Sequence, residues 1–158
     1  MASHEELLAA LLQQERDCQF DAFGADTALE LGLDLVAQAK ARGKGVTVDI
    51  RRNGQLLFHH AMAGTAPDNA EWVRRKNNVA QRFGHSSYYV GTQYRARGTS
   101  FEAHLGLDPH EYKAHGGAFP LLLRGTGMVG TITVSGLPEA EDHALVVGAL
   151  QKMLGRTS

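Results

Sequence analysis

The chain predicts an α+β domain in which helices pack on an antiparallel sheet, and three observations carry that prediction. Its β-forming stretches arrive as two hairpins, residues 46–60 around Asn53-Gly54 and residues 119–134 around Gly125-Thr126-Gly127. Amphipathic helical stretches stand at both ends of the chain and between the hairpins. A length of 158 residues, with no Pro/Ser-rich linker and no internal repeat, suits one domain, residues 1–158, able to bury a core without metal or disulfide staples.

The elements follow in order. Ser3 caps a first helix with Glu6 as its capping-box partner, and Leu7, Leu8, Leu11 and Leu12 share one face. Residues 18–23 suit a short strand. A second helix begins at Asp26 or Thr27, carries Leu29, Leu33, Val36 and Ala37 inward, and stops near Gly43. Val46, Val48 and Ile50 alternate with Thr47, Asp49 and Arg51, and Asn53-Gly54 marks a type I′ turn before the chain returns. Pro67-Asp68-Asn69 opens a third helix in which Trp72, Val73, Lys76, Val79, Ala80 and Phe83 share faces until Gly84. Between Gly84 and Gly106 the periodicity is ambiguous, and a loop fits it. Asp108-Pro109 starts a helical turn toward His115. In the second hairpin an apolar strand meets a Gly-rich turn and a β-branched strand, and the Ser135-Gly136-Leu137-Pro138 corner then ends the sheet. Pro138, Glu139, Glu141 and Asp142 suit a helix's first turn, where a missing N–H costs nothing and negative charge meets the positive dipole end. Leu145, Val146, Ala149, Leu150 and Met153 form that helix's packing face.

With 16 Lys+Arg against 17 Asp+Glu there is no general pull toward nucleic acid or an acidic membrane, although Arg74-Arg75-Lys76 is a local basic cluster. The lone Cys18 excludes an intramolecular disulfide. Met1 leads into a polar, acidic segment with no apolar leader or spanning run, so a cytoplasmic location is expected.

Several motifs have two readings. Gly125-x-Gly127-x-x-Gly130 matches a dinucleotide fingerprint literally, but strand formers 131–134 follow where a helix is required, so the turn reading wins. Ser135-Gly136 resembles a nucleophile elbow, yet Thr133 stands where its first Gly should be. This corner either caps the last helix or receives a carboxylate or phosphate. Gly116-Gly117 before Phe119-Pro120 is either a strained turn entering a strand or a loop approaching a ligand, with Pro120 open to a cis bond. Trp72 with Arg75 and Lys76 either grips a carboxylate beside a stacking ring, or supplies core and interface contacts. Asp142-His143 either positions the last helix or forms a titrating dyad. The eight histidines match no zinc pattern, and neighbours His59 and His60 on a strand face opposite ways, so no metal site is assigned.

The stretches GGAFP, VSGLP, the following EDH and DNAEWVRRKN at 68–77 resemble the haem-degrading-domain family, HbpS/GlcG-like, in its branch of small intracellular proteins. The resemblance runs from about residue 7 to about residue 154. It implies a profilin-like α-β-α fold with a central antiparallel sheet, homo-oligomers, and a pocket for haem or another small anionic ligand. That pocket draws on Trp72, Arg75, Lys76, His115, Gly116, Gly117, Phe119, Pro120, Ser135, Gly136, Asp142 and His143. Leu137 and Met128 would add apolar wall, and His115, then His104, are the first candidates for an axial ligand to haem iron. The alternative is a non-catalytic oligomeric scaffold or protein-interaction partner, with Trp72, Tyr88, Tyr89 and Tyr94 at interfaces. No triad spacing, reactive Cys pair or cofactor loop marks an enzyme, so no catalytic residue is assigned.

Overall fold

The two hairpins join into one sheet in the computed structural model, which describes residues 3–101, 103 and 106–155. Strand β1 (Thr47–Arg52) pairs with β2 (Gln55–Ala61) across a turn in which Asn53 and Gly54 have φ of +50° and +79°. These are the positive values a type I′ turn requires. β1 also pairs with β4 (Gly127–Ser135), which pairs with β3 (Ala118–Leu123), giving an antiparallel sheet in the order β2-β1-β4-β3. Five helices are described: α1 (His4–Asp17), α2 (Ala25–Ala41), α3 (Pro67–Phe83), α4 (Ser87–Ala96) and α5 (Glu139–Gly155). This is the anticipated α+β class. None of the described helices is long and apolar enough to cross a membrane.

Strand alternation gives the sheet two unlike faces. Register places Val48 opposite Val134, and Ile50 and Phe119 opposite Ile132, so these apolar side chains share one face. α2 and α5 cover it with Leu31, Leu35, Ala39, Leu145, Ala149 and Leu150, forming the main core. Each fully buried large aliphatic there contributes roughly 1.5–3 kcal/mol. The other face carries Thr47, Asp49, Thr131, Thr133 and Ser135, which are buried because α3 lies across β4, β3 and β1. One interior layer is therefore oil and the other is polar. A layer needed only for stability gains nothing from carboxylates and hydroxyls, which must find partners once water is excluded.

Four sequence expectations change. α2 buries Ala28, Leu31, Gly32, Leu35 and Ala39, while Leu29 and Leu33 stay 50% and 55% exposed. The helix carries two apolar stripes, and the one with the small residue packs: a Cβ on Gly32 would lie 2.4 Å from the Phe58 ring, so glycine lets α2 settle onto β2. Residues 18–23 give an isolated bridge between Phe20 and Leu123 instead of a strand. The ambiguous stretch contains α4, capped by Ser86, whose hydroxyl accepts from the Tyr89 amide at 3.1 Å. Tyr89 and Tyr94 are buried within the chain, Tyr94 beside Phe101 in a second cluster with Val79 and Val90, and are not interface aromatics. Gly91 explains why a helix fits there, since a Cβ would lie 2.0 Å from the Ala114 carbonyl oxygen. Every described peptide bond, including that of Pro120, is trans. His104 lies outside the described residues.

Candidate functional site

Helical periodicity turns Val73, Lys76, Asn77 and Ala80 of α3 toward the polar layer, so Lys76 is buried along with the apolar residues beside it. Its Nζ donates to Asp142 Oδ2 at 3.1 Å and to the Val134 carbonyl at 3.3 Å. Asp142 stands in the first turn of α5 and accepts from the backbone N–H of Leu137 at 2.9 Å and of Gly136 at 3.3 Å. The donors of the Ser-Gly corner are thus occupied by the helix's own carboxylate, where dipole and charge agree. Ser135 does not cap; its Oγ accepts from Asn69 Nδ2 at 3.3 Å.

Burial dominates the electrostatics of the pair. Taking the ammonium out of water pushes Lys76 down, with Asp142 opposing, and the same desolvation pushes Asp142 up against the pull of Lys76 and the two amides. Both groups are driven toward neutrality, the direction that moving one proton from nitrogen to oxygen would take.

The Gly116-Gly117 step makes room for this arrangement. A Cβ on Gly116 would come 2.3 Å from the Glu139 carbonyl oxygen, pressing into the first turn of α5. Gly117 has φ +141°, and a Cβ there would lie 2.4 Å from the Val134 carbonyl oxygen and 2.7 Å from Lys76 Nζ. The closely approaching group anticipated for this loop is the lysine and the neighbouring backbone.

Above the pair lies a cleft of about 240 Å³ lined by Asn69, Trp72, Lys76, His115, Ser135, Gly136, Leu137, Glu139 and Asp142. At its rim the Trp72 ring lies 5.3 Å from the His115 ring, and His115 Nδ1 is 3.6 Å from Glu139. Glu139 is also held by Arg95 at 3.1 Å. Of the residues anticipated from sequence, Trp72, Lys76, His115, Ser135, Gly136, Leu137 and Asp142 meet here, with Gly117 against Lys76.

Others stand apart. Arg75 does not line the cleft; its guanidinium lies 5.0 Å from the ring centre of Trp72, which does, and 3.7 Å from Asp68. Phe119 and Pro120 are buried in β3, and Met128 sits half-buried beside the second hairpin turn. His143, next to Asp142 in sequence, faces Gln14 at 2.7 Å and the Tyr88 ring, outside the cleft. Asn69 and Glu139 escaped the sequence reading, because a first-turn Asn or Glu reads as a capping residue. A further polar cluster lies under α3, where Asp49 accepts from Arg51 Nε at 2.9 Å and meets His59 Nδ1 at 2.9 Å. Among the described residues no group of three or more His, Cys, Asp or Glu could hold a metal ion.

Comparison with known proteins agrees with this architecture. Residues 23–151 match the family described as "Haem degrading protein HbpS-like". The UPF0303 protein of Streptomyces coelicolor is 51% identical over 148 residues, which is 94% of either chain. The crystal structure of the Ybr137w protein superposes with a TM-score of 0.87 at 33% identity, covering 95% of this chain and 88% of that one. A structure titled as a complex of PduOC with haem has the same fold, with TM-score 0.64 at 19% identity over 82% of this chain and 93% of that one. The chain belongs to the HbpS-like haem-degrading family and, within it, groups with the UPF0303 proteins.

Proposed function

We propose that this protein binds a small ligand through a carboxylate held in the cleft between α3, the Gly-Gly loop and the α5 corner. One observation carries the reading: three donors with unused hydrogens converge there. Lys76 Nζ has two acceptors for its three hydrogens, Asn69 Nδ2 has one for its two, and the Ser135 hydroxyl accepts from Asn69 without an acceptor of its own among the described residues. Acceptor-rich anionic groups answer such a set, and hydrogen bonds to a charged partner are the stronger kind.

Size narrows the ligand. At about 240 Å³ the cleft falls below the roughly 300–1,000 Å³ of sites that enclose drug-sized molecules. It suits an acid of a few heavy atoms, or the carboxylate arm of a larger molecule. Haem, which the family description and the PduOC complex bring forward, fits in that second sense. Its propionate suits the donors, whereas its ring exceeds the cleft and would meet Trp72 and His115 at the rim, with His115 the imidazole we assign to the iron. Haem would supply redox and oxygen chemistry when bound.

Parallel titrations with propionate and with haemin, by calorimetry and absorbance, test the reading and separate its two sources. We expect saturable binding of at least one, weakened about tenfold by Asn69→Ala, the effect of losing roughly 1.4 kcal/mol from one charge-assisted hydrogen bond. Absence of saturable binding of both, or binding indifferent to Asn69→Ala, overturns it.

A second reading, self-association or docking of a protein partner, is favoured by Leu29 and Leu33, one turn apart and half exposed on α2. Sedimentation at micromolar concentration should give an oligomer whose mass falls in Leu33→Glu. A monomeric wild type removes the self-association.

A further inference from the structure

We propose that Lys76 forms an imine with a 2-oxo acid whose carboxylate is held in this cleft, an inference that rests on the carboxylate reading above. Of the chain's five lysines, Lys40, Lys44 and Lys152 are exposed, Lys113 is half-buried, and Lys76 alone is buried. Its Nζ is fixed by the Val134 carbonyl and Asp142 beneath a cleft it helps to line. Of the donors left for a carboxylate, the Ser135 hydroxyl stands one residue along β4 from that same carbonyl, and Asn69 Nδ2 reaches Ser135 Oγ from α3 at 3.3 Å. A carbonyl carbon bonded directly to the carboxylate carbon therefore lies next to the amine, which singles out 2-oxo acids among small carbonyl compounds. Gly117 contributes as well, since any side chain there would displace Nζ.

Chemistry requires an amine that can shed a proton and an acid that can return it. Burial favours the first at Lys76 and the second at Asp142. Asp142 takes one ammonium proton, and the freed Nζ lone pair adds to the carbonyl carbon while the C=O π pair moves to oxygen. That oxygen takes a proton from the nitrogen, giving a neutral carbinolamine. Asp142 then returns its proton to the hydroxyl, the C–O bond breaks, water leaves, and C=N forms as an iminium against the restored carboxylate. The net change is ammonium plus carbonyl to iminium plus water, with the buried charges the same before and after.

Borohydride trapping of the intact protein with pyruvate, followed by peptide mapping, reads this directly. We expect the reduced three-carbon adduct at Lys76 in preference to the other four lysines at neutral pH. Excess lactate, which offers the carboxylate without the carbonyl, should suppress it, and propanal, which lacks the carboxylate, should trap less. Selectivity should fade as pH approaches about 10, where ordinary lysines lose their protons. Labelling spread over the exposed lysines, or equal trapping by propanal, overturns the proposal. If lactate or propionate binds while Lys76 stays unlabelled, the imine fails and the carboxylate site stands; if nothing binds and nothing labels, both fall. Mapping of the wild type needs no folded Lys76 variant, and loss of the adduct in Lys76→Met confirms the assignment where that variant folds.

Discussion

Asp142→Ala is expected to destabilise the protein by about 3–5 kcal/mol, the cost of stranding one charge of a buried ion pair. Lys76 and Asp142 expose only 4% and 2% of their side chains, so little water reaches the pair to replace a lost partner. Without the carboxylate, Lys76 keeps one acceptor, the Val134 carbonyl, and Gly136 and Leu137 lose theirs. The reverse change is expected to be milder. In Lys76→Met the carboxylate retains two backbone amides and the positive end of α5, and methionine fills the volume of the lysine stem. The double variant Lys76→Met/Asp142→Leu should recover most of the loss, to within about 1–2 kcal/mol of wild type, because an apolar pair of similar volume has no charge to desolvate. Urea unfolding of the four proteins closes the cycle. Were Asp142→Ala to unfold like wild type, the pair would not be a buried charge pair in solution. A double variant close to wild type in stability that binds no carboxylate would show that the pair is kept for ligand binding and not for stability.

Local chemistry made much of the fold legible and very little of this pair. Asn53-Gly54 marked its turn because only residues tolerant of positive φ fit there, and Pro67 and Gly84 bracketed α3 as first-turn and C-terminal residues should. Lys76 and Asp142 stand 66 positions apart, so neither announces the other. The alternation Thr47-Asp49-Arg51 was visible, but a polar alternate face reads as solvent-facing until a helix is seen to cover it. α2 offered two apolar stripes, and the decision fell to Gly32 against Phe58, a contact between distant elements. α4 was hidden by its own packing: Gly91 and its aromatic residues are poor helix formers that suit the close approach of the 114–115 backbone and the second cluster. The candidate site was found as a neighbourhood, through Trp72, His115 and the Ser-Gly corner, while the occupant of the corner's amides, Asp142, required the fold.

His143 should make the protein acid-sensitive in a window that can be assigned in advance. Its imidazole is buried between Gln14, the Tyr88 ring and the Phe119 ring, and burial pushes its pKa from 6.5 to about 4. Nε2 meets Gln14 Oε1 at 2.7 Å, which assigns the proton of the neutral ring to Nε2, and Nδ1 has no partner. A second proton would therefore sit on Nδ1 without an acceptor and away from water. Above pH 6.5 neither state is protonated and His143 contributes no slope; between 6.5 and about 4 the unfolded chain takes up a proton that the folded chain refuses. Stability falls as pH drops through that window, by a total on the order of 3 kcal/mol, and the loss levels off below it. Carboxylates titrate nearby, so the comparison is with His143→Gln, whose amide can still donate to Gln14 and carries no titrating group. Urea midpoints measured from about pH 7 to about pH 4.5 should fall more steeply in wild type than in His143→Gln. Parallel profiles would mean that His143 is solvated or finds a partner for Nδ1 in solution, and the acid sensitivity would then belong to the carboxylates.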